Sequence, residues 1–267
     1  MKLSCTSTMV PGKSLTEQAE NLKKWGYEGI AVFADYRFWD REKQEELMRL
    51  EERTGIIPCE FVFSDALYGH LMDPDPDLRR ACRDMYREAA EICGALGAVT
   101  ELEYECGPQD PLPLFHPYAR MDPQQEEDFL QMYRELLEPL KGTEGKMLLE
   151  GINRYESPYL NTLEDCRAVT DRLEDPRAGV LADFFHMSME ERNLVESIRK
   201  AGTAIRHVHL GDNNRLLPGY GSTDWKACLQ ALNEIGYEGF LNLECCVCRE
   251  PAVTLPETSR YLRERMV

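Results

Sequence analysis

No stretch of the 267-residue chain approaches the ~20 consecutive apolar residues of a membrane-spanning helix, so a membrane partner is not expected. The amino end, Met1 to Cys5, enters a strand-like pattern without a signal-type run, and the expected location is cytoplasmic. Basic residues are scarce. Lys and Arg together number 31 against 48 Asp and Glu, a net charge of −17 that repels phosphate backbones and anionic lipids and excludes nucleic acid as a partner. A small neutral molecule fits that balance. No Gly-rich phosphate loop follows any apolar run, which argues against an open nucleotide-binding sheet and for an unphosphorylated substrate. Ten cysteines are present, but they are scattered and lack the paired spacing of a structural zinc site; Cys245, Cys246 and Cys248 have no second pair nearby. They read as reduced, mostly buried thiols.

Short apolar runs alternate with helical patterns from end to end. Strands are predicted at Lys2 to Cys5, Gly29 to Phe33, Ile57 to Phe63, Ala98 to Glu103, Lys146 to Glu150, Val180 to Asp183, Ile205 to Leu210 and Leu241 to Glu244. Helices are predicted between them at Leu15 to Trp25, Arg41 to Arg53, Leu78 to Leu96, Gln124 to Lys141, Thr162 to Leu173, Asn193 to Ala201 and Trp225 to Ile235, with a last one near Leu262. Thr162 and Asp224 are N-cap candidates, while Gly26 and Gly236 close two helices. The turn Gly26-Tyr27-Glu28-Gly29 recurs residue for residue at Gly236-Tyr237-Glu238-Gly239. Strict alternation implies a parallel sheet, and eight repeats let it close. The expected fold is α/β, a single (β/α)8 TIM barrel formed by residues 1–267 as one domain, a length near the ~250 residues usual for that fold.

Four metal-type ligands each end a strand: Glu150, Asp183, His209 and Glu244. In a parallel barrel those ends share one face, so residues 33, 26 and 35 positions apart can surround one cation. Three carboxylates and an imidazole suit Mn²⁺, Mg²⁺, Co²⁺ or Zn²⁺. A divalent ion that holds two sugar oxygens acidifies the neighbouring C–H bond. Glu150 and Glu244 come from separated strands, so one can remove a proton from that carbon and the other return it on the opposite side, an epimerisation. The plainer alternative has these carboxylates capping helices or pairing with lysines.

His186, in the loop leaving the Asp183 strand, is a candidate to bond a substrate oxygen, as Arg215 is to clamp a hydroxyl pair and Glu156 to do likewise. The alternatives are a backbone-bonded loop histidine, a surface salt bridge and a solvated carboxylate. Glu101 and Glu103 are expected on alternate faces of their strand, one of them toward the pocket. Phe115, Phe184 and Phe185 are expected near it, and the other Phe and Trp residues mostly in the core. Two long connections, Tyr104 to Pro123 with Phe115-His116 and Gly211 to Thr223, emerge on the same face and read as lids or binding loops.

The segments Glu150-Gly-Ile-Asn-Arg-Tyr-Glu156, Asp183-Phe-Phe-His186 and His207-Val-His209-Leu-Gly-Asp-Asn-Asn-Arg215, with the strand ending at Glu244, resemble the sugar phosphate isomerase/epimerase superfamily of xylose isomerase-like TIM barrels. The similarity runs over essentially the whole chain and is nearest to the D-tagatose and D-psicose (allulose) 3-epimerases. It implies Mn²⁺ or a similar ion on Glu150, Asp183, His209 and Glu244. Glu150 and Glu244 are then the acid/base pair around an enediolate, Glu156, His186 and Arg215 are the sugar contacts, and a homo-oligomer, dimer or tetramer, is implied. Gly151-Ile152 and Cys245-Cys246 depart from that branch's usual Pro-Leu and Pro, which leaves the substrate more open than the metal. Inosose and hydroxypyruvate isomerases, sugar dehydratases and C-glycoside deglycosidase subunits share the barrel mouth and stand as alternatives. The endonuclease IV branch fits less well, with five histidines in the whole chain and Lys226 where that branch has a histidine.

Overall fold

A computed structural model describes residues 1–115 and 119–266. Strands β1 (Lys2–Thr6), β2 (Gly29–Ala34), β3 (Ile57–Phe63), β4 (Val99–Leu102), β5 (Lys146–Glu150), β6 (Ala178–Asp183), β7 (Ile205–Leu210) and β8 (Phe240–Leu243) form one closed parallel barrel, with β1 paired to both β2 and β8. This is the (β/α)8 TIM barrel expected. The helices around it are α1 (Leu15–Lys24), α2 (Arg41–Met48), α3 (Leu50–Thr54), α4 (Pro76–Leu96), α5 (Pro123–Leu137), α6 (Leu163–Leu173), α7 (Phe184–Glu190), α8 (Leu194–Ala201), α9 (Trp225–Glu234) and α10 (Pro251–Arg263).

The cap chemistry follows the sequence. Thr162 and Asp165 form a reciprocal capping box at the start of α6, and the Asp224 carboxylate accepts the Ala227 amide at the start of α9. Two differences matter for the site. The helix expected over Arg41 to Arg53 breaks at Arg49, whose backbone leaves the helical region at φ −104° and ψ 2°. Helix α7 replaces the expected loop after β6, because the Asp183 carboxylate that ends the strand also caps a new helix.

The barrel interior is not wholly apolar. In β3, pairing with β2 skips Cys59, a bulge beside Pro58 that brings Glu60 opposite Ala31. Glu60 is fully buried. A second irregularity in β7 skips Arg206 and sets His207 and His209 against Leu181 and Asp183. Both histidines thus lie two residues apart on the inward face, with Glu60 across the barrel.

Candidate active site

The four predicted ligands converge at the carboxyl ends of β5 to β8. Atoms from Glu150, Asp183, His209 and Glu244 all lie within 4.8 Å of one another. From His209 Nδ1 the distances are 3.0 Å to Glu244 Oε2, 3.8 Å to Glu150 Oε1 and 3.9 Å to Asp183 Oδ2. Asp183 performs both jobs that a carboxylate at a strand end can have. Its Oδ1 accepts the amides of Phe185 and His186 at 2.6 and 3.1 Å, while Oδ2 faces the other ligands.

His209 is oriented from behind. Its Nε2 lies 3.0 Å from both oxygens of Glu60, which leaves Nδ1 turned toward the carboxylates. Among the described residues buried Glu150 Oε1 makes no hydrogen bond, and buried His209 Nδ1, although 3.0 Å from Glu244 Oε2, makes none of good geometry. Unpaired buried atoms inside a ring of carboxylates call for a cation, and the donor set, three carboxylates and one imidazole, fits a divalent ion. Burial pushes the Glu150 carboxyl well above the usual range, and Glu101 reinforces it. Burial acts on Glu244 in the same sense, but the Arg215 guanidinium and His209 outweigh it and hold that carboxyl far below. The two glutamates therefore stand in opposed environments within one ring.

Arg215 reaches Asp183 Oδ2 and Glu244 Oε1, each at 2.9 Å, and its guanidinium lies over the Phe185 ring at 4.5 Å. Its backbone holds a left-handed φ of 60°, unusual for arginine. Asp212 enforces this. That fully buried carboxylate accepts the amides of Asn213, Gly219 and Thr223 and the Trp225 indole, while the Asp212 carbonyl accepts the Arg215 amide.

His186 lies in α7. Its Nδ1 accepts from the Asn153 amide at 3.2 Å, which leaves the proton on Nε2 as a donor. Burial lowers its pKa, which favours the neutral ring. The Asn153 side chain also donates to Glu156 Oε1 at 2.7 Å. A bidentate pair between Arg154 and Glu190 pins the same loop. Glu150, Glu156, His186, Arg215 and Glu244 border one cavity of about 210 Å³. A roomier groove of about 580 Å³, between α6 and α8, has charges such as Arg167 and Asp171 paired with each other.

The sequence profile of the family described as "Xylose isomerase-like TIM barrel" matches residues 19–265. The chain belongs to that family. A D-psicose 3-epimerase of Enterocloster bolteae is 40% identical over 111 residues, 42% of this chain and 37% of the relative's length. A probable ketose 3-epimerase of Synechocystis is 26% identical over 232 residues, covering 84% and 76%. The match thus spans little more than a third of the first relative and about three quarters of the second. Among solved structures, the apo 3-keto-D-glucoside 4-epimerase of E. coli superposes with a TM-score of 0.85 at 22% identity, covering 99% of each chain, a likeness of fold.

Several expectations for this xylose isomerase-like barrel need correction. Glu101 and Glu103 both border the cavity, because residues two apart along a strand share a face rather than alternate. Phe115 is 88% exposed and is absent from the cavity lining, and His116 lies outside the described residues. Phe184 is buried against Trp225 at 5.1 Å, behind the strand ends rather than in the pocket. Phe38, grouped with the core aromatics, is 65% exposed. The residues that sequence reasoning missed are Glu60, Asn153 and Asp212 as supports, and Tyr68 and Phe33 as cavity wall. Glu60 carried a signal: a lone charge inside the apolar run Ile57 to Phe63.

Proposed function

We propose that this chain is a divalent-metal-dependent sugar epimerase that inverts C3 of a free ketose. The observation that carries the reading is the pairing of Glu150 and Glu244, three strands apart around the barrel, within one ring of cation donors that opens on a cavity. The names of the two relatives point the same way. A divalent ion on Glu150, Asp183, His209 and Glu244, with Mn²⁺ the first choice over Mg²⁺, Co²⁺ and Zn²⁺, supplies Lewis-acid polarisation of the sugar carbonyl.

The protein's own groups do the rest. His186 Nε2 donates to a sugar oxygen, Glu156 accepts from a hydroxyl, and Arg215 holds the side of the ring where negative charge grows. One carboxylate of the Glu150/Glu244 pair takes the C3 proton and the other delivers one from the opposite face, so the product differs from the substrate at that carbon alone. Incubation of the Mn²⁺-loaded protein with D-fructose, D-psicose, D-tagatose and D-sorbose, followed by chromatography of the sugars, tests this. A C3 epimer pair supports the reading, and unchanged sugars in every case contradict it.

A further inference from the structure

The cavity has two unlike halves. The cation donors, Arg215 and His186 belong to β5 to β8 and the loops after them. The other half, from β2 to β4, contributes Phe33, Val62, Tyr68, Glu101 and Glu103. Among the described residues, the cationic or imidazole side chains bordering the cavity, Arg215 and His186, both stand in the first half. Among the described residues the second half thus presents two carboxylates with no guanidinium or ammonium in its lining, the His209 imidazole standing 4.0 Å from Glu101.

Tyr68 spans those carboxylates, its hydroxyl 2.6 Å from Glu101 Oε1 and 3.1 Å from Glu103 Oε1. A phenol carries one proton, so the shorter contact serves Glu101 and leaves Glu103 short of a donor. Glu103 is only 4% exposed, and among the described residues its Oε2 accepts no hydrogen bond; the Cys106 thiol beside the carboxylate is a weak donor. A buried carboxylate oxygen that borders a cavity and lacks a donor is costly unless a ligand supplies one. The Tyr68 hydroxyl already fills the gap between the two carboxylates, which favours a ligand O–H over a second metal ion. The cavity lies below the ~300–1,000 Å³ of drug-sized ligands, so a single sugar unit is the fitting guest.

Resting on the epimerase reading and deepening it, we propose that Glu103, braced by Tyr68, selects the end of the sugar remote from the reacting carbon. It accepts a hydrogen bond from a terminal hydroxyl and rejects a phosphate or carboxylate at that place. Removing the hydroxyl leaves Oε2 unpaired, and adding an anion sets like charges together.

At pH 8.5, above the Glu103 titration near 7, the test compares D-fructose, 6-deoxy-D-fructose and D-fructose 6-phosphate on Mn²⁺-loaded wild type, E103L and E103Q, with the thermal midpoint of each variant as a folding control. Wild type should prefer D-fructose to either analogue by about ten-fold or more in kcat/KM. E103L should raise KM for D-fructose about ten-fold while kcat stays within about two-fold, and leave the 6-deoxy sugar unaffected. E103Q, which removes the charge with little change of shape, should narrow the gap between D-fructose and its 6-phosphate. Equal treatment of the three sugars by wild type would overturn the proposal. So would an equal fall in kcat for D-fructose and its 6-deoxy analogue in E103L, or a second bound Mn²⁺ per chain that E103L loses. If no sugar turns over, the epimerase reading fails by itself. Calorimetric binding of the same three sugars then decides the subsite: the same ladder supports it, and a flat ladder or no binding overturns it.

Discussion

At the residue scale, the site assigns different work to chemically identical carboxylates through their surroundings. Glu150 and Glu244 are the proposed proton carriers, and Glu150→Gln and Glu244→Gln should each lower kcat by roughly 10²–10⁴-fold with a folded chain, measured by sugar turnover and circular dichroism. Glu60 touches no substrate but fixes the ring of His209. Its replacement by Gln should weaken Mn²⁺ binding by about 10–100-fold in calorimetry, whereas an unchanged affinity would remove Glu60 from the account. Glu103 sets a pH dependence. Burial lifts its carboxyl from the usual 4.5 to about 7. The folded state therefore holds this proton more tightly than the unfolded chain, and the stability it contributes is complete below about pH 4.5 and lost as pH rises through about 7. Glu103→Gln should leave the stability of the metal-free protein unchanged at pH 4 and raise it above pH 7 by up to about 3 kcal/mol, read by denaturant titration.

At the element scale, what the sequence made legible and what it concealed have separate physical causes. The apolar runs and caps are local signals, so β5, β7 and the start of α6 fall where Lys146 to Glu150, Ile205 to Leu210 and Thr162 announce them. The ligand set was legible because each member closes a strand of a sheet whose direction the alternation dictates. The lone charge of Glu60 stood out in its apolar run, but its role did not, because its partner His209 is 149 residues away and the contact depends on bulges that no local pattern reports. Helix α7 was hidden by Asp183 itself, whose two oxygens serve the cap and the site together. The Gly211 to Thr223 connection, read as a lid or a binding loop, brings Arg215 to the cavity, and Asp212 ties it into a support for that residue. Asp212→Ala should cost about 2–4 kcal/mol, since it orphans several buried donors at once, and should lower kcat/KM through a displaced Arg215. A variant with full stability and full activity would contradict that role.

At the scale of the whole molecule, a closed parallel barrel carries a net charge of −17 and gathers much of its buried negative charge at one mouth. Carboxylates from β4, β5, β6 and β8 repel one another there, with Arg215 as the compensating guanidinium. Divalent ions should therefore stabilise the fold: Mn²⁺ at about 100 times its dissociation constant should add ~2.7 kcal/mol, visible as a higher thermal midpoint that a chelator reverses. In the proposed reaction the same geometry brings acid and base from two distant strands to one carbon. Proton NMR of D-fructose in D₂O with the Mn²⁺-loaded protein tests this most directly. The account predicts deuterium at C3, lost on chelation and lost in Glu150→Gln and Glu244→Gln; a C3 proton that never exchanges, or exchange indifferent to chelator and to both substitutions, would contradict it.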